Sequence, residues 1–227
     1  MPDFTFAHRE EGFDNHIDMS IRNYSTLIDD VVEMSRYFVE DGSCVYDLGC
    51  STGKMLARMV ETNKEFSPDV EYIGLENADG FLGDMKKTMK SVDTGNLSLV
   101  NDDVRSCDYS NASLITSIFT LQFIPRKDRQ DLLRRIYLGL NPGGAFIFGE
   151  KTYASCAKAQ DMLTFLYYDH KRKSFSEEDI MNKEKTLRSM LKPNTWEELS
   201  VMLYNSGFDK IQTFWQNHLF VAAVCIK

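Results

Sequence analysis

The sequence predicts an α/β fold: a mostly parallel seven-stranded sheet with helices on both faces, a C-terminal antiparallel strand pair and a helical insertion after the fifth strand. Three observations predict it. Five short β-prone runs alternate with helix-period segments up to about residue 150. The first run, Cys44-Val45-Tyr46-Asp47, meets a small-residue loop bracketed by Gly49 and Gly53 and passes at once into the helical pattern Lys54 to Val60. Beyond residue 150 the alternation stops: within an insertion at 152–193, residues 155–191 read as two consecutive helices, and two final apolar runs lie only a few residues apart. A chain of 227 residues suits a single domain, 1–227.

Taken in order, residues 1–22 are polar with scattered aromatics and no clear period, leaving two readings, a tail or a lid over a ligand. Leu27, Ile28, Val31, Val32 and Phe38 then share one helical face, with Ser25 placed to cap it. The strand over Val45 and the glycine loop follow, with a helix to about Asn63. A second strand, Val70 to Leu75, ends in the carboxylate Glu76, followed by Asn77 and a helix from about Asp79 to Met89. Leu97 to Val100 is the third strand, leading to Asn101-Asp102-Asp103-Val104. The fourth, Leu114 to Phe119, runs on through Thr120-Leu121-Gln122-Phe123 at the sheet end where α/β proteins bind ligands. Pro125 opens a helix carrying Leu132, Leu133 and Ile136; Asn141-Pro142-Gly143-Gly144 reads as a turn, and Ala145 to Gly149 as the fifth strand. In the insertion, the first helix carries Met162, Phe165 and Leu166 and ends in the tip Tyr167 to Lys173; the second starts at the box Ser176-x-x-Asp179. Thr195-x-x-Glu198 opens one more helix, closed by Ser206-Gly207, before strands Ile211 to Trp215 and Leu219 to Ile226.

Composition narrows the function. A net charge of −8 disfavours broad contact with nucleic acid or an anionic membrane surface. No apolar run approaches the roughly 20 residues that span a bilayer. The first residues have neither the basic nor the apolar segment of a secretory signal. Cys44, Cys50, Cys107, Cys156 and Cys225 are odd in number and show no C-x-x-C pairing, so they read as cytoplasmic thiols with no disulfide framework or metal site.

The glycine loop admits three readings. A dinucleotide fingerprint requires glycine where Ser51 stands. A P-loop requires four residues between its glycines and a hydroxyl after its lysine, whereas Gly49 and Gly53 enclose only three and Met55 follows Lys54. Asp47 would also repel a polyphosphate. What remains resembles motif I of the class I S-adenosylmethionine (AdoMet) methyltransferases, with their Rossmann-like fold. AdoMet has no phosphate and carries an ammonium, which an acid tolerates. Glu76 then stands where an acid accepts hydrogen bonds from ribose hydroxyls, Asp103 where one meets the adenine amino group, and Val104 where it packs on the ring. Cys50 reads as a small loop residue.

Tyr24-Ser25, Val45 to Ser51, Phe119-Thr120-Leu121-Gln122-Phe123, Leu140 to Ala145 and Glu150-Lys151 together resemble the carboxy-S-adenosylmethionine synthase family. The resemblance runs from about Phe13 to the C-terminus. It implies cofactor contacts at Tyr24, Gly49, Cys50, Ser51, Glu76, Asn77, Asp103 and Val104, a homodimer packed through the insertion, and a reaction of AdoMet with prephenate that supplies tRNA wobble-uridine modification. The family's carboxylate-gripping arginine, lent by the neighbouring subunit, aligns with Glu184 here, and a family asparagine beyond the fourth strand aligns with Ile118. A glutamate in place of the arginine would repel a carboxylate. Arg188, one turn away, or Arg172 could replace it, and Tyr168 and Arg172 could line the substrate mouth. The expectation is therefore an AdoMet-dependent transferase of this type that moves a methyl group to a small-molecule acceptor. The alternatives are carboxy-AdoMet synthase itself, which would form carboxy-AdoMet, and an AdoMet-binding protein without catalysis.

Overall fold

The computed structural model describes residues 12–92 and 96–227. Its sheet runs in the order β3 (Leu97–Asn101), β2 (Glu71–Glu76), β1 (Cys44–Leu48), β4 (Ala112–Ile118), β5 (Leu140–Tyr153), β8 (Phe220–Ile226), β7 (Lys210–Asn217). The first five are mutually parallel; β8 is antiparallel to both β5 and β7. This is the class I methyltransferase topology. A two-residue strand, β6 (Asn194–Thr195), pairs with the end of β5 and adds an eighth to the seven expected.

Alternation along the central strands builds a core on each face. Val45, Leu114, Ala145 and Ile147 pack with α2 (Tyr24–Ser35) and α3 (Lys54–Asn63). Tyr46, Ile115, Phe146 and Phe148 pack with α5 (Arg126–Gly139) and α8 (Trp196–Ser206). Between β2 and β3 lies α4 (Leu82–Ser91), and after β5 come the insertion helices α6 (Ala157–Lys171) and α7 (Glu177–Met190). The expected caps hold at Ser176, whose hydroxyl accepts the Asp179 amide, and at Thr195 with Glu198; Gly207 ends α8 at φ 118°.

Three local expectations fail. Ser25 does not cap α2: the cap lies two residues earlier, at Asn23 in the left-handed region (φ 61°), and the Ser25 amide instead donates to Asp18 Oδ1 at 3.1 Å. Asn141 to Gly144 does not separate helix from strand but belongs to β5 as an irregularity, since Ala112 pairs with Leu140 and Leu114 already with Ala145. There Gly143 and Gly144 also exchange backbone hydrogen bonds with Lys227. Third, the unpatterned stretch before residue 22 contains a helix, α1 (Phe13–Ser20); residues 1–11 lie outside the described part.

Candidate active site

A cavity of about 790 Å³ opens at the C-terminal ends of β1, β2, β4 and β5, within the size range of small-molecule sites. The glycine loop forms one wall. Gly49 has φ 72°, and a Cβ on it would lie 2.2 Å from Thr120 Oγ1, so only glycine lets the β1 and β4 loops approach this closely. The Gly49 and Cys50 amides both donate to Leu75 O, at 2.8 and 3.0 Å, which fixes the loop against β2. Ser51 (φ 49°) and Phe119 (φ 59°) sit in the left-handed region beside the cavity, strain of a kind that concentrates at functional sites.

Two buried carboxylates face this wall. Glu76 accepts from the amides of Ser51 (3.0 Å) and Ala78 (2.9 Å); burial raises its pKa while these bonds pull it down. Asp47, 2% exposed, accepts from Thr116 Oγ1 at 2.8 Å, and desolvation lifts its pKa to about 7. Cys50 is buried against Phe81 and Met85, its thiol pushed well up by burial, which suits a packing residue and not a nucleophile. Asp103 lines the cavity, but its carboxylate is largely engaged by the Arg105 guanidinium (2.6–3.1 Å), and it keeps less capacity for an adenine amino group than the sequence suggests.

Tyr24, Asp47, Gly49, Cys50, Ser51, Glu76, Asn77, Asp103, Val104 and Ile118 thus all line one cavity. The four residues expected at the substrate end do not line it. Arg172 bridges Asp169 (2.7 Å) and Glu177 (3.1 Å) on the surface, and Arg188 is exposed on α7. Tyr168 packs beside Tyr167, with ring centroids 5.9 Å apart. Glu184 turns inward, its Oε1 4.0 Å from Nζ of the buried Lys171.

Several lining residues were not foreseen. Helix α1 lies over the cavity: Asp14 pairs with Lys54 Nζ (2.6 Å) and accepts from Thr52 Oγ1 (3.1 Å), while buried His16 meets Ser20 (3.1 Å) and Lys183 of α7. The described part of this segment forms one wall of the cavity. At the opposite end stand Lys151, Tyr167 and Phe220. Strand alternation could have found Lys151, because its neighbour Glu150 belongs with Arg129 on the α5 face.

The set fits AdoMet: acids at two strand ends beside a glycine loop, where a polyphosphate would meet two buried carboxylates. The relatives agree. A methyltransferase domain family matches residues 45–144. A carboxy-S-adenosyl-L-methionine synthase of Staphylococcus epidermidis is 33% identical, covering 95% of this chain and 92% of its own length. The chain belongs to the carboxy-S-adenosyl-L-methionine synthase family. Family members from Shewanella piezotolerans and Histophilus somni are 31% and 32% identical, each over 99% of this chain and 93% and 94% of their own. Among solved structures, the complex of the Haloferax volcanii Trm112 activator with a methyltransferase matches with TM-score 0.65 at 14% identity, over 100% of this chain and 98% of that one. Human N-acetylserotonin methyltransferase, solved with SAM, matches with TM-score 0.58 at 16% identity, over 90% and 52%. These two share the fold. As a member of this family the protein is an AdoMet-dependent class I transferase.

Proposed function

We propose that this family member transfers a methyl group from AdoMet to a small-molecule acceptor bound in the same cavity. The observation that carries the reading is the state of position 184. The family's cationic position holds a glutamate here, its Oε1 4.0 Å from Nζ of Lys171, while the residues expected to hold the cofactor line one cavity. Glu76 would hold the ribose hydroxyls, Gly49, Cys50 and Ser51 the amino-acid end beside Asp47 and Tyr24, and Asn77, Asp103, Val104 and Ile118 the adenine. AdoMet, when bound, supplies an electrophilic methyl group. The chain's task is then alignment and exclusion of water, which needs no dedicated acid or base. Helix α1 and the aromatic wall of Phe119, Tyr167 and Phe220 suit that task. Mass spectrometry of ligand released from the purified protein tests this: AdoMet or its demethylated product is expected, and recovery of carboxy-AdoMet overturns it.

The second reading, carboxy-AdoMet synthesis from AdoMet and prephenate in support of tRNA wobble-uridine modification, draws on the relatives' name. It requires another cation in place of the arginine; Arg172 is paired with Asp169 and Glu177, and neither it nor the exposed Arg188 lines this chain's own cavity. We further propose a cytoplasmic homodimer joined through the insertion. The exposed Met162, Phe165 and Leu166 of α6 support that assembly, and light scattering after size exclusion measures it. Among the described residues, no helix is long and apolar enough to cross a membrane.

A further inference from the structure

The insertion leaves the sheet at the end of β5 and returns at β6, and both ends of its stem are tied to one residue of the cavity wall. On the outgoing side the Lys151 amide donates to Gln122 Oε1 at 2.9 Å. On the returning side the Lys192 amide donates to the Gln122 main-chain carbonyl at 3.0 Å, which also accepts from the Arg129 guanidinium at 3.1 Å. The other half of the Gln122 side chain serves β4: its Nε2 donates to Phe119 O at 3.2 Å. A main-chain amide can only donate and a carbonyl can only accept. These partners therefore fix the orientation of the side-chain amide and require a donor and an acceptor on one side chain. Gln122 is 4% exposed, so water offers little substitute for either bond.

What Gln122 holds is a strained turn. Phe119 keeps φ 59°, a conformation that persists only where its surroundings over-determine it. Its amide is tied to Gly149 O at 2.7 Å and its carbonyl to Gln122, so both main-chain groups are engaged. The next residue, Thr120, packs against Gly49 so closely that no Cβ fits between them. A shift of this turn therefore reaches the glycine loop, and Ile118, Phe119 and Thr120 line the same cavity as that loop.

We infer that Gln122 is a positioning residue for the cofactor: through Phe119 and Thr120 it sets the β4 wall against the glycine loop, and it ties that wall to both ends of the insertion stem. The inference goes beyond the methyl-transfer reading, since it holds whichever group is moved. It takes from that reading only the place of the cofactor.

The test is calorimetric titration of S-adenosylhomocysteine into the full-length protein well below its Tm, where lost stability alone does not change the affinity of the folded state. Gln122→Met, similar in shape but without the donor and acceptor, should bind at least about fivefold more weakly than wild type, the worth of one hydrogen bond. Gln122→Glu supplies both groups only while protonated. Burial and the nearby Glu150 oppose its ionisation, whereas Arg129 favours it. Relative to wild type at the same pH, its affinity should be near parity at about pH 5.5 and fall toward that of Gln122→Met at about pH 8.5. A folded Gln122→Met that loses less than fivefold overturns the inference, as does a Gln122→Glu as weak at the lower pH as at the higher. A Gln122→Glu that matches wild type at both, beside a weakened Gln122→Met, supports it, the carboxyl remaining protonated. Should Gln122→Met not fold, the Gln122→Glu ratio decides alone, and one that does not change with pH overturns the inference. Failure of wild type to bind S-adenosylhomocysteine would instead sink the cofactor reading, and hydrogen exchange on the ligand-free protein then decides Gln122. The Lys192 amide, whose main-chain acceptor survives the substitution, should exchange at least about fivefold faster in Gln122→Met, and unchanged exchange overturns the inference.

Discussion

Asp47 shows how one buried side chain couples pH, stability and ligand. It sits at the end of β1 because the sheet's C-terminal edge must present polar groups to a ligand, yet with 2% exposure it is nearly cut off from water. Thr116 offers a hydrogen bond that favours the carboxylate, but desolvation outweighs it and carries the pKa from 3.8 to about 7. The folded state therefore holds a proton that the unfolded chain releases. Such a group contributes stability that is fully present below about pH 4 and is lost as pH rises through 7. Between pH 6 and 8 this amounts to about 1.4 kcal/mol, or about 3–5 °C in Tm for a chain of this size. His170 and His218, whose pKa values burial lowers, gain stability as pH rises and partly mask the effect, so the informative quantity is a difference between variants. Asp47→Asn should remove this part of the Tm decline between pH 6 and 8 in the ligand-free protein. A variant whose pH profile parallels wild type in differential scanning fluorimetry would mean that Asp47 is already ionised.

At the scale of elements, the insertion is where sequence and structure part most. The order of strands and helices was legible because it follows from period: Val45, Leu114 and Ile147 alternate onto one face and Tyr46, Ile115 and Phe148 onto the other. The convergence of Gly49, Asp47 and Glu76 on one cavity was legible because a glycine at positive φ and strand-end acids leave a local signature. Helix α1 was not, since its buried residues His16 and Ser20 are polar and meet partners far along the chain, such as Lys183. Nor was the fate of Glu184, because its position on a mixed-charge helix does not say which neighbour it meets. It meets Lys171, whose side chain is 2% exposed against 20% for Glu184. Putting arginine at 184 would set a cation against this buried ammonium. With Glu184 partly solvated, exchanging attraction for repulsion at 4.0 Å should cost about 2 kcal/mol, or about 4–8 °C in Tm. Glu184→Gln, which loses only the attraction, should cost about half as much. An E184R protein as stable as wild type in thermal unfolding would show that α7 does not pack on its own chain in solution.

For the whole molecule, the cavity walls come from both ends of the chain: α1 and the β1 loop, then the ends of β4 and β5, then α6, α7 and β8. Their contacts across the cavity combine aromatic edges, such as Phe13 on Phe81 with ring centroids 4.9 Å apart, with exposed ion pairs. Asp14 reaches Lys54 at a pair 37% and 65% exposed, and such pairs contribute only about 0–1 kcal/mol. The sheet beneath is different in kind, with Phe146, Ile147, Leu114 and Ala222 fully buried. The empty protein should therefore combine a firm sheet with a looser roof formed by α1 and the insertion. A ligand touching the glycine loop and the roof together binds only the folded state, so its binding energy adds to unfolding free energy by mass action. S-adenosylhomocysteine at about 100 times its Kd should add about 2.7 kcal/mol and raise Tm by about 5–10 °C. Hydrogen exchange should then slow first in α1 and α7, not in β1 or β4, which the empty protein already protects. Slowing confined to the sheet, with α1 and α7 exchanging as before, would mean that the cofactor binds without engaging the roof.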